Sequence, residues 1–257
     1  QNFLIDAHVL NKIIASADIT KDDCVLEIGP GIGTMTQYLA EAAGKVVAVE
    51  IDRNLIPILS ETLADYENVT VINEDVLKLD VAKLADEYNQ GRPIKVVANL
   101  PYYITTPIIM GLFEKNVPVD SITVMVQKEV AERMSAKPST KDYGAITVLC
   151  QYYTEPSIVA NVPASLFVPP PKVDSAVLKL KVLDKPSVEV KDEGVFFRVV
   201  KAAFSQRRKT LLNCLSANFA IPKDEISTIL ESIGIAPSRR GETLSLEEFA
   251  NLSLIHI

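Results

Sequence analysis

The tetrapeptide Asn99-Leu100-Pro101-Tyr102 closes an apolar run, Ile94-Lys95-Val96-Val97-Ala98, that reads as a buried strand. An amide oxygen, a peptide carbonyl, a proline that withholds an N–H and a flat phenol ring together suit a planar aromatic amine. The amine of adenine is a weak nucleophile because its lone pair is delocalised into the ring. Asn99 Oδ1 and the Leu100 carbonyl are suited to accept hydrogen bonds from both of its N–H groups. That favours a pyramidal nitrogen whose lone pair faces an incoming methyl. Tyr102 offers a stacking face worth about 1–3 kcal/mol by analogy with base–aromatic stacking elsewhere. Such a transfer depends on positioning rather than on a strong general base, which suits a chain whose only histidines are His8 and His256.

About 70 residues upstream lies Glu27-Ile28-Gly29-Pro30-Gly31-Ile32-Gly33, again after a short apolar run, Cys24-Val25-Leu26. Glycines at Gly29, Gly31 and Gly33 let the backbone pass close to a ligand where a Cβ would collide. The spacing is G-x-G-x-G rather than the G-x-G-x-x-G of dinucleotide sites, which argues against pyrophosphate on a helix amino end. Glu50 ends the next strand, 17 residues after Gly33, where a carboxylate can accept from both hydroxyls of a ribose; Asp52 is read as a helix cap. Asp75 either accepts from the amine of an adenine ring, with Val76 packed on its face, or caps a turn. Phe167 precedes the run Val168 to Ser175, whose three consecutive prolines form a stiff extended segment. It either faces Tyr102 across a flipped-out base or belongs to the core. A glycine loop for a nucleoside and an Asn-x-Pro-aromatic turn for a planar amine, in this order, imply adenine-N6 methyl transfer.

The elements that must position these residues alternate. Helical periodicity is predicted at Asp6–Ala17, Thr34–Ala43, Asn54–Asp65, Val81–Tyr88, Pro107–Lys115 and Lys128–Ser135. Strands are predicted at Cys24–Ile28, Lys45–Ile51, Val69–Asn73, Ile94–Ala98 and Ile122–Val126. Short apolar strands between amphipathic helices make an α/β fold with parallel strands buried on both faces, and ligands bind beyond their carboxyl ends. Ala145–Tyr153 and Ser175–Val182 read as an antiparallel pair that closes the sheet. Asp184-Lys185-Pro186-Ser187 reads as a linker, which sets domains at 1–186 and 187–257. Helices near Val195–Phe204, Arg208–Asn218, Lys223–Ile233 and Leu246–Leu252 follow it.

Composition excludes several classes. Three scattered cysteines, Cys24, Cys150 and Cys214, with no CxxC pair argue against a metal centre and suit a reducing, cytoplasmic compartment. Apolar runs are too short for a membrane span. The net charge of −7 is unevenly placed: residues 1–186 carry 17 Lys/Arg against 24 Asp/Glu, and 187–257 carry 9 against 9. Local basic groups at Lys201, Arg207, Arg208 and Lys209, around Lys128, Arg133 and Lys137, and at Arg239-Arg240 are either phosphate contacts or solvated faces.

Taken together these residues resemble the ribosomal RNA small-subunit adenine dimethyltransferase family over nearly the whole chain. The likeness rests on Gln1-Asn2-Phe3-Leu4, the Glu27–Gly33 loop, Asn99–Tyr102, Gln127–Glu129, Tyr143-Gly144, Pro169–Ser175 and Ala203–Thr210. It implies a class I, Rossmann-like fold with a mostly parallel seven-stranded sheet and a helical carboxyl-terminal domain that recognises RNA. It implies S-adenosylmethionine as cofactor, contacted by Asn2, Leu4, Gly29, Glu50, Asp75 and Asn99. The implied substrate is two adjacent adenines near the 3′ end of 16S rRNA in the immature 30S subunit, each dimethylated at N6 by a monomer. Relatives carry a basic segment before the Gln-Asn-Phe-Leu stretch that this sequence lacks. A 23S-type adenine methyltransferase shares several motifs, and an assembly checkpoint role is the alternative from another class.

Overall fold

A computed structural model describes residues 3–4, 6–100, 104–114 and 117–254. Asn2, Pro101 and Tyr102, for which the sequence suggests roles, lie outside these residues.

The elements in order are β1 (Phe3–Leu4), α1 (Ala7–Ser16), β2 (Cys24–Ile28), α2 (Thr34–Ala42), β3 (Lys45–Glu50), α3 (Ile56–Thr62), β4 (Val69–Asn73), α4 (Val81–Asn89), β5 (Ile94–Asn99), α5 (Thr105–Glu114), β6 (Val119–Gln127) and α6 (Lys128–Met134). Then follow α7 (Ala145–Tyr153), β7 (Thr154–Val162), β8 (Phe167–Val168), β9 (Ser175–Val182), α8 (Glu193–Ala203), α9 (Leu211–Phe219), α10 (Lys223–Ser232) and α11 (Leu246–Ser253).

Seven strands form one sheet in the order β4-β3-β2-β5-β6-β9-β7. The first five are parallel, and β9 runs antiparallel to β6. The chain builds outward from β2 through β3 to β4, then returns to place β5 on the other side of β2. Strand order therefore reverses between β2 and β5, which is where an open α/β sheet leaves a crevice. All of β2 is buried, and so is β3 beyond Lys45. The expectation of burial on both faces fails at β4, which is the sheet edge and only half-buried. At the amino ends of the strands, cations are tied down: Lys95 to Asp23 at 2.9 Å and Lys179 to Asp18 at 2.5 Å. The hydrogen bond from Lys179 holds the Asp18 carboxyl below its ordinary range.

Two predictions need correction. Ala145–Tyr153 is a helix, α7, and the strand that occupies the sheet edge is the next segment, β7. The β-branched and aromatic residues that suggested a strand instead face a helical core, where Tyr152 stacks on Phe196 with centroids 5.0 Å apart. The amino end of α7 is fixed by Gly144 N–H donating to Thr147 Oγ1 at 3.0 Å. Secondly, packing divides the chain into one unit of residues 1–131 with 156–182 and another of 132–155 with 183–257. A boundary near 186 is thus close for the last crossing, but α7 lies far upstream of it and belongs to the helical unit. In that unit Tyr143 Oη donates to the Leu244 carbonyl at 2.8 Å, across a core of Phe196, Val199, Leu215 and Phe249.

Candidate active site

The carboxyl ends of β2, β3 and β5 open on a cleft of about 490 Å³. Its floor is the turn after β2. Gly29, Gly31 and Gly33 there have φ of 69°, 62° and 91°. A Cβ on Gly29 would meet nothing within 4 Å and would instead project into open space. The glycine is thus required by its backbone conformation, not by a protein neighbour.

Glu50, at the tip of β3, is 1% exposed. Its Oε2 accepts from Gly31 N–H at 3.3 Å and its Oε1 from Asp52 N–H at 2.8 Å. Two peptide donors fix the carboxylate, and each oxygen retains a lone pair for a ligand hydroxyl. Asp52 is a cap, accepting from Asn54 N–H at 2.9 Å. Of the two roles left open for Asp75, the turn cap is the one the hydrogen bonds display. Its Oδ1 accepts from Leu77 N–H at 3.0 Å, as a turn cap does, and the residue still lines the cleft beside Val76. Asn99 and Leu100 reach the cleft from the end of β5. Leu100 N–H is anchored on the Met125 carbonyl at 3.2 Å.

Phe167 is a core residue, 3% exposed, that also lines the cleft. It is held there by β8 pairing antiparallel with β1, which sets Leu4 opposite Phe167. A face-to-face arrangement of Phe167 with Tyr102 falls outside the described residues, as do the roles given to Asn2 and Pro101.

Several lining residues received no role from sequence reasoning, Ile51 and Glu27 among them. Ile51 is 65% exposed at the mouth; its only signal was an isoleucine directly after the strand-end acid. Glu27 is 0% exposed, and neither carboxyl oxygen has a hydrogen-bond partner. Its signal was an acid in the otherwise apolar strand Cys24–Ile28. Burial pushes its carboxyl up to about 8; the nearby Glu50 adds to this, and the Thr36 hydroxyl, outside hydrogen-bond geometry, offsets part.

Glu27, Glu50, Glu74 and Asp75 are the titratable groups lining the cleft among the described residues, and no Lys, Arg or His joins them. Phosphate would meet only like charge here. A nucleoside carrying positive charge and no phosphate fits the donor set, and so does S-adenosylmethionine. Among the described residues no group of three or more His, Cys, Asp or Glu is placed to hold a metal.

In the helical unit, Lys137, Lys201, Arg207, Arg208 and Lys209 are all exposed. Arg207 Nε lies 3.3 Å from Glu242 and a terminal nitrogen of the same guanidinium donates to the Lys141 carbonyl. The 204–210 loop is thereby stitched beside the basic 137–141 loop. Arg239 departs from the basic-patch reading: its guanidinium is engaged by both oxygens of Glu248 and by Thr243, which leaves Arg240 as the exposed member of that pair.

Comparison with known proteins agrees with this geometry. A family model described as ribosomal RNA adenine dimethylase matches residues 1–256. The chain is 61% identical over 256 residues to a protein of Lachnoclostridium phytofermentans named ribosomal RNA small subunit methyltransferase A, covering 98% of this chain and 88% of the relative. A protein of the same name from Clostridioides difficile is 54% identical, covering 99% and 88%. Among solved structures, a dimethyladenosine transferase from Plasmodium falciparum superposes with a TM-score of 0.80 at 29% identity, covering 97% of this chain and 95% of that one. The 23S rRNA methyltransferase ErmE gives 0.75 at 28%, covering 98% of each.

Proposed function

The chain belongs to the ribosomal RNA adenine dimethylase family, and from that premise we propose that it dimethylates N6 of two adjacent adenines in the 3′-terminal hairpin of 16S rRNA. The observation that carries this reading is the meeting of Asn99 and Leu100 with Gly29, Glu50 and Asp75 around one cleft at the strand-order switch.

S-adenosylmethionine, when bound, supplies an electrophilic methyl group on a cationic sulfur. Glu50 holds ribose hydroxyls with the lone pairs its two peptide donors leave free. Asp75 presents its second oxygen to an adenine amine, and Gly29 leaves room for close approach. Asn99 and the Leu100 carbonyl grip the target amine, aligning its lone pair for in-line attack, so positioning supplies most of the rate. Leu4 and Phe167 line the cleft with apolar surface and help exclude water. After each methyl transfer N6 is cationic and sheds one proton to solvent, and no side chain is required as base.

The exposed basic loops of the helical unit supply phosphate contacts. Because a base must leave its stack to enter such a cleft, we take the target to be an incompletely assembled small subunit in the cytoplasm, bound by a monomer. No helix of the described residues is long and apolar enough to cross a membrane. The likeness to ErmE keeps large-subunit rRNA as the competing substrate, but identities of 54–61% to proteins named for the small subunit favour the first.

The test is to incubate the protein and S-adenosylmethionine with small and large subunits lacking the modification, then read the rRNA by mass spectrometry. Four methyl groups on the small-subunit hairpin, absent with Asn99→Ala, are expected. Methylation confined to the large subunit would reverse the assignment.

A further inference from the structure

Glu27 stands apart from the other carboxyls of the cleft. Glu50 lies on the neighbouring strand, as deeply buried, but accepts hydrogen bonds from two peptide N–H groups. Both Glu27 oxygens are without any partner at 0% exposure, and the residue lines the cleft. A carboxylate cannot be kept there ionised and unpaired without a large desolvation cost, so the ligand-free side chain carries a proton. No compensating cation is at hand: the groups that act on it are Glu50 on β3 and Thr36 on α2, and the other titratable groups lining the cleft among the described residues are Glu74 and Asp75, after β4.

We propose that Glu27 is a proton-exchanging ligand for the methyl donor: neutral in the ligand-free cleft, it releases its proton to solvent as the cationic donor docks and faces the donor's positive charge as a carboxylate. The inference rests on the assignment of S-adenosylmethionine to this cleft. The balance is simple. The Glu27 O–H bond breaks, the proton leaves to water, and one positive charge enters in its place, so the local charge is unchanged. Burial then works for recognition, because a cation offsets a charge that no described lining group compensates.

Calorimetric titration of the full chain with S-adenosylmethionine, in two buffers of different ionisation heat at pH 6.5, counts the protons exchanged. About one proton released by the parent protein and none by Glu27→Gln is expected. Between pH 6 and pH 7, below the carboxyl's value of about 8, the parent's affinity should rise about tenfold and the variant's should not. Should Glu27→Gln bind too weakly to measure, difference infrared spectroscopy of the parent reads the same event. A protonated-carboxyl band that vanishes on adding the donor supports the proposal. Binding without proton release, or a band that persists, overturns it while leaving the cofactor assignment intact. Absence of any binding by the parent overturns both.

Discussion

Replacing Glu27 by glutamine preserves the shape of the side chain and removes its ability to ionise, so it isolates the cost of a buried charge in the ligand-free protein. The carboxyl rises from its usual 4.5 to about 8 on folding. A folded value above the unfolded one means that the neutral acid is favoured in the native state. Below pH 4.5 the parent carries no penalty. Between 4.5 and 8 it loses stability with each step in pH, and above 8 the loss is complete. At about 1.4 kcal/mol per pH unit, the interval amounts to about 5 kcal/mol, an upper bound since water entry and relaxation soften such costs. Parent and Glu27→Gln should therefore be similar at pH 4.5, and the variant should be more stable by about 2–5 kcal/mol at pH 8.5. Urea unfolding without cofactor measures this. Because the chain packs as two units, the reporter should lie in the first, for which native-state exchange of the β2 amides serves. A stability difference constant to within about 0.5 kcal/mol across that range would show that Glu27 does not titrate there, and the reasoning would fail.

Other outcomes follow from single contacts. Gly241→Ala would set a Cβ 2.6 Å from the Ala203 carbonyl oxygen, a backbone clash that should destabilise the helical unit by about 2–4 kcal/mol and lower its melting temperature. Ala220 caps α9 with φ 55°, so Ala220→Gly should stabilise that unit by about 0.5–1 kcal/mol in the same assay. Arg239→Ala should lower thermal stability by about 1 kcal/mol, its ion pair with Glu248 being partly solvated, and leave RNA affinity unchanged in filter binding. Neutralising Arg207, Arg208 and Lys209 should reduce the salt dependence of RNA binding by about two to three counterions without altering cofactor affinity, whereas Glu50→Ala should do the reverse; equal losses in both assays would refute that division.

The strands and helices of the first unit were legible because their signals are local. Cys24–Ile28 and Val69–Asn73 fall where period and flanking turn residues put them; Gly29, Gly31, Glu50, Asp75, Val76, Asn99 and Leu100 line the cleft, whereas Gly33 faces Leu59 and Thr62 of α3 instead. Ala145–Tyr153 was misread because β-branched and aromatic residues favour strands only until a helical core claims them. Arg239 shows the same limit among charges: two adjacent arginines read alike, yet one is consumed by Glu248.

The sequence alone determined which chemical groups are present and, through turn chemistry and periodicity, that the glycine loop, the acids and the Asn-Leu pair stand at strand ends. It could not say that Glu50 is held by two peptide donors while Glu27 has none. Both are acids in or at the end of apolar strands; what separates them is which backbone N–H groups the crossover loops aim at each, and that is settled only when β2 and β3 pair and the turn after β2 closes over them.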